Sequence, residues 1–306
     1  MVTVSVLMSV FNGEKYLSAA VESILVQSFS DFEFIIINDG SNDGSEALLE
    51  RFAARDKRIR LITRENQGLV ASLNEGIALA RAPLIARMDA DDISHVDRFA
   101  LQVAFLRDNP QVVCVGGALE MIDEKSRYLT RLYIPEADHD IQRLHLEGHT
   151  AICHPAAMIR RQTLIDVGAY DPNFYPAEDL DLWLRLGEVG QLANLRDTVL
   201  RYRLHSGSIS ETNFEKQRAA QLRACKSAWR RRGINGRFLA AESWRPGSDP
   251  DSRLKFMLRY GWWAFNSRKR QTAIVYGLRA IQARPFQSDG WRLLACALLK
   301  PFGSRR

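Results

Sequence analysis

Cysteine is scarce in this 306-residue chain. There are four, Cys114, Cys153, Cys225 and Cys296, each far from the next. No CxxC pair occurs, so neither a thiolate metal site of the usual spacing nor a disulfide framework is expected. Reduced thiols in a cytoplasmic setting are the simplest account. Long apolar runs are missing too, and nothing approaches the ~18 residues of a membrane span. The stretch Met1-Val2-Thr3-Val4-Ser5-Val6-Leu7 lacks a basic segment ahead of its apolar residues. It reads as a strand rather than a signal peptide. The first strand-to-helix turn, Ser9-Val10-Phe11-Asn12-Gly13-Glu14, has a single glycine where a dinucleotide fold needs G-x-G-x-x-G, and no G-x-x-x-x-G-K-[ST] occurs anywhere. A glycine cradle for a pyrophosphate is therefore absent, and a diphosphate bound here needs another counter-charge.

Charge is present but unevenly placed. Residues 215–306 carry 21 Lys+Arg against 5 Asp+Glu, whereas 1–214 carry 21 basic and 31 acidic residues. The split predicts two domains, 1–214 and a helical, basic region 215–306. In that second region apolar residues recur at helical spacing. Basic helices carrying Trp and Phe fit a membrane surface, and the same aromatics fit a packed helical core. The Arg245–Asp251 segment, rich in Pro, Gly and Ser, reads as a linker.

Strand and helix patterns alternate four times from Val2 to Asp89. Apolar runs at Val2–Val10, Asp31–Ile37, Arg58–Thr63 and Ala82–Ala86 are separated by helical spacing over Glu14–Gln27, Ser45–Ala54 and a helix opened by Asn66-Gln67-Gly68. That alternation predicts a parallel α/β sheet, with ligands bound beyond the carboxyl ends of its strands. Three polar loops fall there, at Phe11, Asp39 and Asp89. A helix over His95–Arg107 and a strand over Val112–Ile122 follow. Tyr128–Ile134 reads as an antiparallel segment and Leu195–Tyr202 as a last strand, so the second half of the sheet is expected to be mixed.

The densest chemistry is Arg87-Met88-Asp89-Ala90-Asp91-Asp92. Residues two apart on a strand share a face, so Asp89 and Asp91 can converge. Two such carboxylates repel unless a cation lies between them. Oxygen ligands completed by substrate phosphates are how Mg²⁺ or Mn²⁺ is commonly held. The bland alternative is an acidic turn with Asp92 or Ser94 capping the next helix. A second cluster, Glu178-Asp179-Leu180-Asp181, opens a helix whose core face is Leu180, Trp183, Leu184 and Leu186. Its carboxylates serve either the helix dipole or general-base catalysis. His149 and His154 lie in a loop, as ligands or as hydrogen-bonded core residues. His205 is a candidate third metal ligand, which favours Mn²⁺ modestly.

These loops together resemble the family 2 glycosyltransferases, inverting enzymes with a GT-A fold (a Rossmann-like mixed sheet flanked by helices). The resemblance covers about 1–214. It rests on Val4–Leu17, Ala20–Ser28, Asn38-Asp39-Gly40-Ser41-Asn42-Asp43-Gly44-Ser45, Asn66-Gln67-Gly68 through Asn74-Glu75-Gly76-Ile77, Asp89-Ala90-Asp91-Asp92 and Glu178-Asp179, in that order. Met8-Ser9 stands where Ile-Pro is frequent, and Asn38 where an acidic residue is. The resemblance implies a nucleotide-sugar donor, a UDP-sugar first, held by Phe11, Asn12, Glu14, Asp39, Asn66, Asn74, Met88 and Asp89. Phe11 would stack on the base, and Glu14 and Asp39 would hold base or ribose. It implies Mn²⁺ or Mg²⁺ on Asp91 and Asp89, with His205 as a late ligand, and Asp179 as catalytic base helped by Glu178. The expected reaction is inverting transfer to a hydroxyl of a glycan or lipid-linked acceptor in cell-surface polysaccharide biosynthesis. The expected setting is cytoplasmic, peripheral at the inner membrane face through 215–306, with no nucleic-acid partner. Two alternatives are a sugar-phosphate nucleotidyltransferase, whose usual Gly-rich loop with Arg and Lys is absent here, and a non-catalytic nucleotide-sugar binder.

Overall fold

The computed structural model describes residues 2–205, 214–240 and 249–300. The chain forms two compact units: 1–118 with 133–201 and 215–241, and 119–132 with 202–214 and 242–306.

The first unit begins with the expected alternation: β1 (Val4–Val10), α1 (Glu14–Leu25), β2 (Phe32–Asp39), α2 (Ser45–Arg55), β3 (Ile59–Arg64), α3 (Leu69–Leu79) and β4 (Leu84–Asp89). Every residue of β2 is buried, which is what a strand covered by helices on both faces requires and why its sequence is a continuous apolar run. Strands β3, β2, β1 and β4 are neighbours in that order and parallel. Helix α1 turns Leu17, Ala20, Val21 and Ile24 inward at 3.6-residue spacing.

Beyond β4 the sheet is mixed. β8 (Met158–Arg160) runs antiparallel to β4, and β6 (Val112–Asp123) antiparallel to β8. β9 (Gln191–Leu204) and β5 (Ile93–Ser94) complete the order β3-β2-β1-β4-β8-β6-β9-β5. This is the GT-A architecture. Three elements depart from expectation. Helix α4 starts at Arg98, not His95, because Ile93 and Ser94 pair with Arg201 and Leu200 of β9 and the His95 N–H donates to Val199 O at 2.9 Å. Strand β9 runs further at both ends than Leu195–Tyr202. Helix α5 (Asp138–Leu146) has no counterpart in the pattern, since only Ile141 and His145 are buried in a charged segment.

One polar cluster ties α4 (Arg98–Asp108) to the strands under the carboxyl edge. Arg98 is fully buried, and its guanidinium donates to the carbonyls of Arg87 (2.9 Å), Pro155 (2.8 Å) and Ala157 (3.1 Å). Gln102 accepts from Arg98 Nε and donates to Val115 O, Gly116 O and Ala156 O. Burial lowers the Arg98 pKa to about 9. Helix α6 (Arg161–Asp166) and helix α7 (Glu178–Leu186) follow β8. Helix α8 (Phe214–Arg232) packs Ala224, Cys225 and Ala228 against Leu180 and Leu184 of α7.

The second unit holds β7 (Tyr128–Leu132), antiparallel to β6 from Leu119 onward, and three helices: α9 (Pro250–Asn266), α10 (Arg270–Ala283) and α11 (Ser288–Leu299). Asp249 caps α9 by accepting from Ser252 N at 2.8 Å, with Pro250 in the first turn. Of the expected Arg245–Asp251 linker, 245–248 lie outside the described residues. Phe256, Tyr260, Phe265 and Tyr276 are buried between these helices, and the rings of Tyr260 and Tyr276 meet edge-on at 5.8 Å. Much of the aromatic content is therefore packed core. No helix among the described residues is long and apolar enough to cross a membrane.

Candidate active site

Because β1, β2 and β4 are parallel, their carboxyl ends lie on one edge. The register sets Ser9, Ile37 and Asp89 level across the three strands. The loops leaving β1 and β2 are stitched together there. Asn12, at φ 53°, donates its N–H to Ser41 Oγ (3.0 Å) and accepts from Asn42 N (2.9 Å). Gly13 N donates to Ser45 Oγ, and the Glu14 carboxylate accepts from Gly44 N at 3.0 Å. A Cβ at Gly44 would meet Glu14 Oε1 at 2.3 Å and push the carboxylate aside. Phe11 stands at the head of this edge and is half exposed.

Four residues expected at the donor have side chains spent on the protein itself. Asp39 is buried, pairs with Arg64, and accepts from Gln67 N and Gly68 N at 2.9 Å each. Asn66 donates to Asp39 O at 2.8 Å. Gly40 between them has φ 74°, and a Cβ there would meet Asn66 N at 2.7 Å. The Asn74 amide both donates to Tyr170 O (2.8 Å) and accepts from Tyr170 N (3.0 Å). Met88 is in the sheet core, with its sulfur 3.7 Å from an Arg98 nitrogen. These residues shape the edge on which the loops gather.

Asp89, Asp91 and Asp92 gather at the end of β4, each offering a carboxylate oxygen within 4.8 Å of the others. Asp92 and Ser94 are not helix caps, since α4 begins after Asp97, and Asp92 is buried within the acidic cluster. An all-oxygen, all-carboxylate donor set of this kind fits a hard divalent cation such as Mg²⁺ or Mn²⁺. Arg87, on the same face of β4 two residues earlier, pairs with Asp89 and is itself buried. Burial works against its charge, but the Asp89 carboxylate outweighs that and raises the Arg87 pKa. Period-two spacing places Arg87 and Asp89 on one face, whereas nothing local in the sequence marks Arg98 or Gln102 as buried hydrogen-bonding residues.

Helix α7 supplies the second acidic group. Leu180, Leu182, Trp183, Leu184 and Leu186 are buried and fix it in the core. Arg232 of α8 donates to Leu184 O at 2.9 Å, satisfying a carbonyl near the helix end. Glu178 and Asp179 fall in the first turn, after Ala177, which makes no side-chain cap. Glu178 is buried, and its Oε2 has no hydrogen-bond partner among the described residues. Burial raises the pKa of both carboxyls. The Asp179 charge adds to this for Glu178, which reaches about 7. Asp89 pushes both the same way, and Arg87 opposes it. The β4 triplet and the α7 pair therefore share one electrostatic environment.

The loop histidines differ. His154 is buried with Nε2 2.7 Å from the Tyr170 hydroxyl, and burial drives its pKa well down, so it is a core residue. His149 is half-buried, with its N–H on Leu144 O at 2.9 Å. His205 is half-buried and belongs to the second unit. Residues 206–210 of the expected specificity loop lie outside the described residues.

The family model for glycosyl transferase family 2 matches residues 5–168. The match includes the β1, β2 and β4 loops and stops short of Glu178, Asp179 and His205. The O-antigen biosynthesis glycosyltransferase WbnJ of Escherichia coli is 32% identical over 213 residues, 68% of this chain and 82% of that protein. The putative glycosyltransferase EpsE of Bacillus subtilis is 34% identical over 218 residues, covering 69% and 76%. Among solved structures, the mannosyltransferase PcManGT from Pyrobaculum calidifontis, in complex with GDP-Man and Mn²⁺, superposes with TM-score 0.58 at 16% identity over 97% of this chain and 81% of that one. S. aureus TarS 1-349 in complex with UDP-GlcNAc gives TM-score 0.55 at 16% identity, covering 97% and 79%. At these identities the structural likeness shows the fold.

Proposed function

The chain belongs to glycosyl transferase family 2, and from that premise we propose that it moves a sugar from a nucleotide-diphosphate sugar to an acceptor hydroxyl with inversion. The observation that carries this is the pairing of two acidic groups in one environment. The Asp89-Asp91-Asp92 cluster suits a cation and diphosphate, and the Glu178-Asp179 pair, raised by burial, suits proton removal. That WbnJ is an O-antigen biosynthesis enzyme and AmsE of Erwinia amylovora an amylovoran biosynthesis enzyme supports polysaccharide biosynthesis as the setting. Complexes of TarS with UDP-GlcNAc and of PcManGT with GDP-Man support a nucleotide-sugar donor.

In this reading Phe11 stacks on the base, while Asn12 and Glu14 line the nucleotide end. Asp39 and Asn66 hold the 66–68 turn against β2 and so fix the floor of that end. Asp91 and Asp89 would hold Mn²⁺ or Mg²⁺. When bound, the cation stabilises the negative charge that grows on the departing diphosphate. Asp179 takes the proton of the acceptor hydroxyl as that oxygen attacks the anomeric carbon from the face opposite the diphosphate. That geometry turns an α-linked donor into a β-linked product. Burial raises the basicity of Asp179, Glu178 shares its proton equilibrium, and Arg87 keeps both from rising too far. The acceptor is a glycan or lipid-linked hydroxyl, and the basic region 215–306 holds the enzyme at the inner face of the membrane.

The test is turnover and slow donor hydrolysis across a nucleotide-sugar panel with Mn²⁺, in the wild type and in Asp179→Asn. Loss of transfer in the variant by about 10²-fold or more, with donor binding retained, is expected for a general base. Near-normal turnover in a folded Asp179→Asn protein refutes the assignment. Pyrophosphate release from NTP and sugar phosphate would instead identify a nucleotidyltransferase.

A further inference from the structure

The second unit carries an apolar face that its own packing does not use. Helix α11 buries Gly290, Leu293 and Ala297 against α9 and α10, approaching α10 so closely that a Cβ at Gly290 would meet Ile281 N at 2.9 Å. On its other side Trp291, Ala295, Leu298 and Leu299 are exposed, Leu299 at 82%. Their spacing of i, i+4, i+7 and i+8 makes one continuous stripe. Phe286, in the turn before the helix, is fully exposed at 102%. A helix apolar on both sides is left with a face that suits lipid or a partner.

The polar atoms around this stripe are satisfied from within. The Trp291 indole N–H donates to Pro285 O at 2.9 Å. The last carbonyls of α11, which a helix end ordinarily leaves to water, accept from Arg270: Ala297 O at 2.8 Å, Leu298 O at 2.9 Å and Lys300 O at 2.9 Å. These groups keep their protein partners when the stripe leaves water. Cations frame it. Residues 268–300 hold seven Lys+Arg and a single acidic residue, Asp289. Arg292 and Lys300 are exposed on or beside the stripe, and Arg284 is exposed too, with Asp251 at 2.9 Å from it.

We propose that this face, Phe286, Trp291, Leu298 and Leu299 with Arg292 and Lys300, seats the protein on an anionic lipid surface. Apolar side chains enter the acyl boundary while the cations meet lipid phosphates, the division of labour of an interfacial helix. A second copy fits less well, because a two-fold contact through the same stripe would bring Arg292 and Lys300 towards their own copies. This inference deepens the membrane placement proposed above, yet its test reads lipid binding without turnover. Failure of the transferase reading and failure of this one are thus distinguishable.

The experiment is vesicle co-sedimentation of the full chain on phosphatidylcholine alone and on phosphatidylcholine with about 30% phosphatidylglycerol. Phe286→Ser/Leu299→Ser and Arg292→Gln/Lys300→Gln are compared with wild type after circular dichroism confirms their fold. Binding is expected to anionic vesicles only, to weaken with salt, and to fall about tenfold or more in each double variant. Donor hydrolysis in the absence of vesicles is expected to be unchanged in both. Equal recovery on neutral and anionic vesicles overturns the proposal, as does undiminished binding by the double variants. So does a wild-type dimer in analytical ultracentrifugation that Phe286→Ser/Leu299→Ser converts to monomer.

Discussion

Replacing Glu178 with glutamine should stabilise the protein at alkaline pH. Glu178 is 6% exposed, with one carboxylate oxygen that has no partner among the described residues. Burial first, and then the Asp179 charge, raise its pKa from an ordinary 4.5 to about 7. A carboxyl raised in the folded state binds its proton more tightly there than in the unfolded chain. Above pH 7 the group is ionised in both states and the fold bears the full cost. As pH falls from 7 towards 4.5 the cost fades, because the folded state takes up its proton first. At roughly 1.36 kcal/mol per unit, the shift amounts to about 3 kcal/mol at pH 8 as a ceiling. Glutamine has the same shape and never ionises, though its amide protons need partners, so a net gain of about 1–3 kcal/mol is the expectation at pH 8. Thermal unfolding of Glu178→Gln and wild type at pH 8 and near pH 4.5 measures it. Tm should be several degrees higher for the variant at pH 8, with the gap closing at the lower pH. Burial and the Asp89 charge, not Glu178, raise Asp179, so the acid limb of kcat/KM should stay near its wild-type position. A variant no more stable than wild type at pH 8, or a gap independent of pH, would refute the buried-charge argument.

Arg87→Met should move that acid limb to higher pH, since Arg87 lowers the pKa of both Glu178 and Asp179; an unmoved limb in a folded variant counts against its role. Asp91→Ala should abolish the rise in Tm that Mn²⁺ with nucleoside diphosphate gives the wild type, about 2.7 kcal/mol when ligand is at a hundredfold its Kd. An unaltered rise would show that the cation sits elsewhere. Arg98→Met should lower stability by about 3 kcal/mol or more, because it strips buried carbonyls at Arg87, Pro155 and Ala157 of their donor. Chemical denaturation checks this, and a loss under about 1 kcal/mol would mean those carbonyls find other partners.

Much of the catalytic edge was readable from local pattern. The all-apolar β2, the helical spacing of Leu17 to Ile24 and the glycine-bearing loops each follow from short-range rules. Parallel pairing then places Phe11, Asp39 and Asp89 together without further information. What escaped was non-local. Arg98 looks like any arginine in an amphipathic helix, and its burial depends on three carbonyls, two of them near residue 156. Helix α5 buries only two side chains, too few to stand out from a charged loop. His154 could not be told from a ligand until the Tyr170 hydroxyl was found 2.7 Å away.

The sequence by itself determined the parallel half of the sheet, the edge on which its polar loops gather and the acidic residues proposed to carry the chemistry. Periodicity and turn composition act over a few residues, and parallel strand order does the rest. Only the tertiary structure decided how those residues are held and charged. It spends Asp39, Asn66 and Asn74 on the framework, draws Asp92 from helix cap into the acidic cluster, and sets Arg87 against Asp89. It also raises Glu178 and Asp179 by burying them in a shared field. Burial and charge balance belong to groups brought together across distant stretches of chain, and no local pattern encodes them.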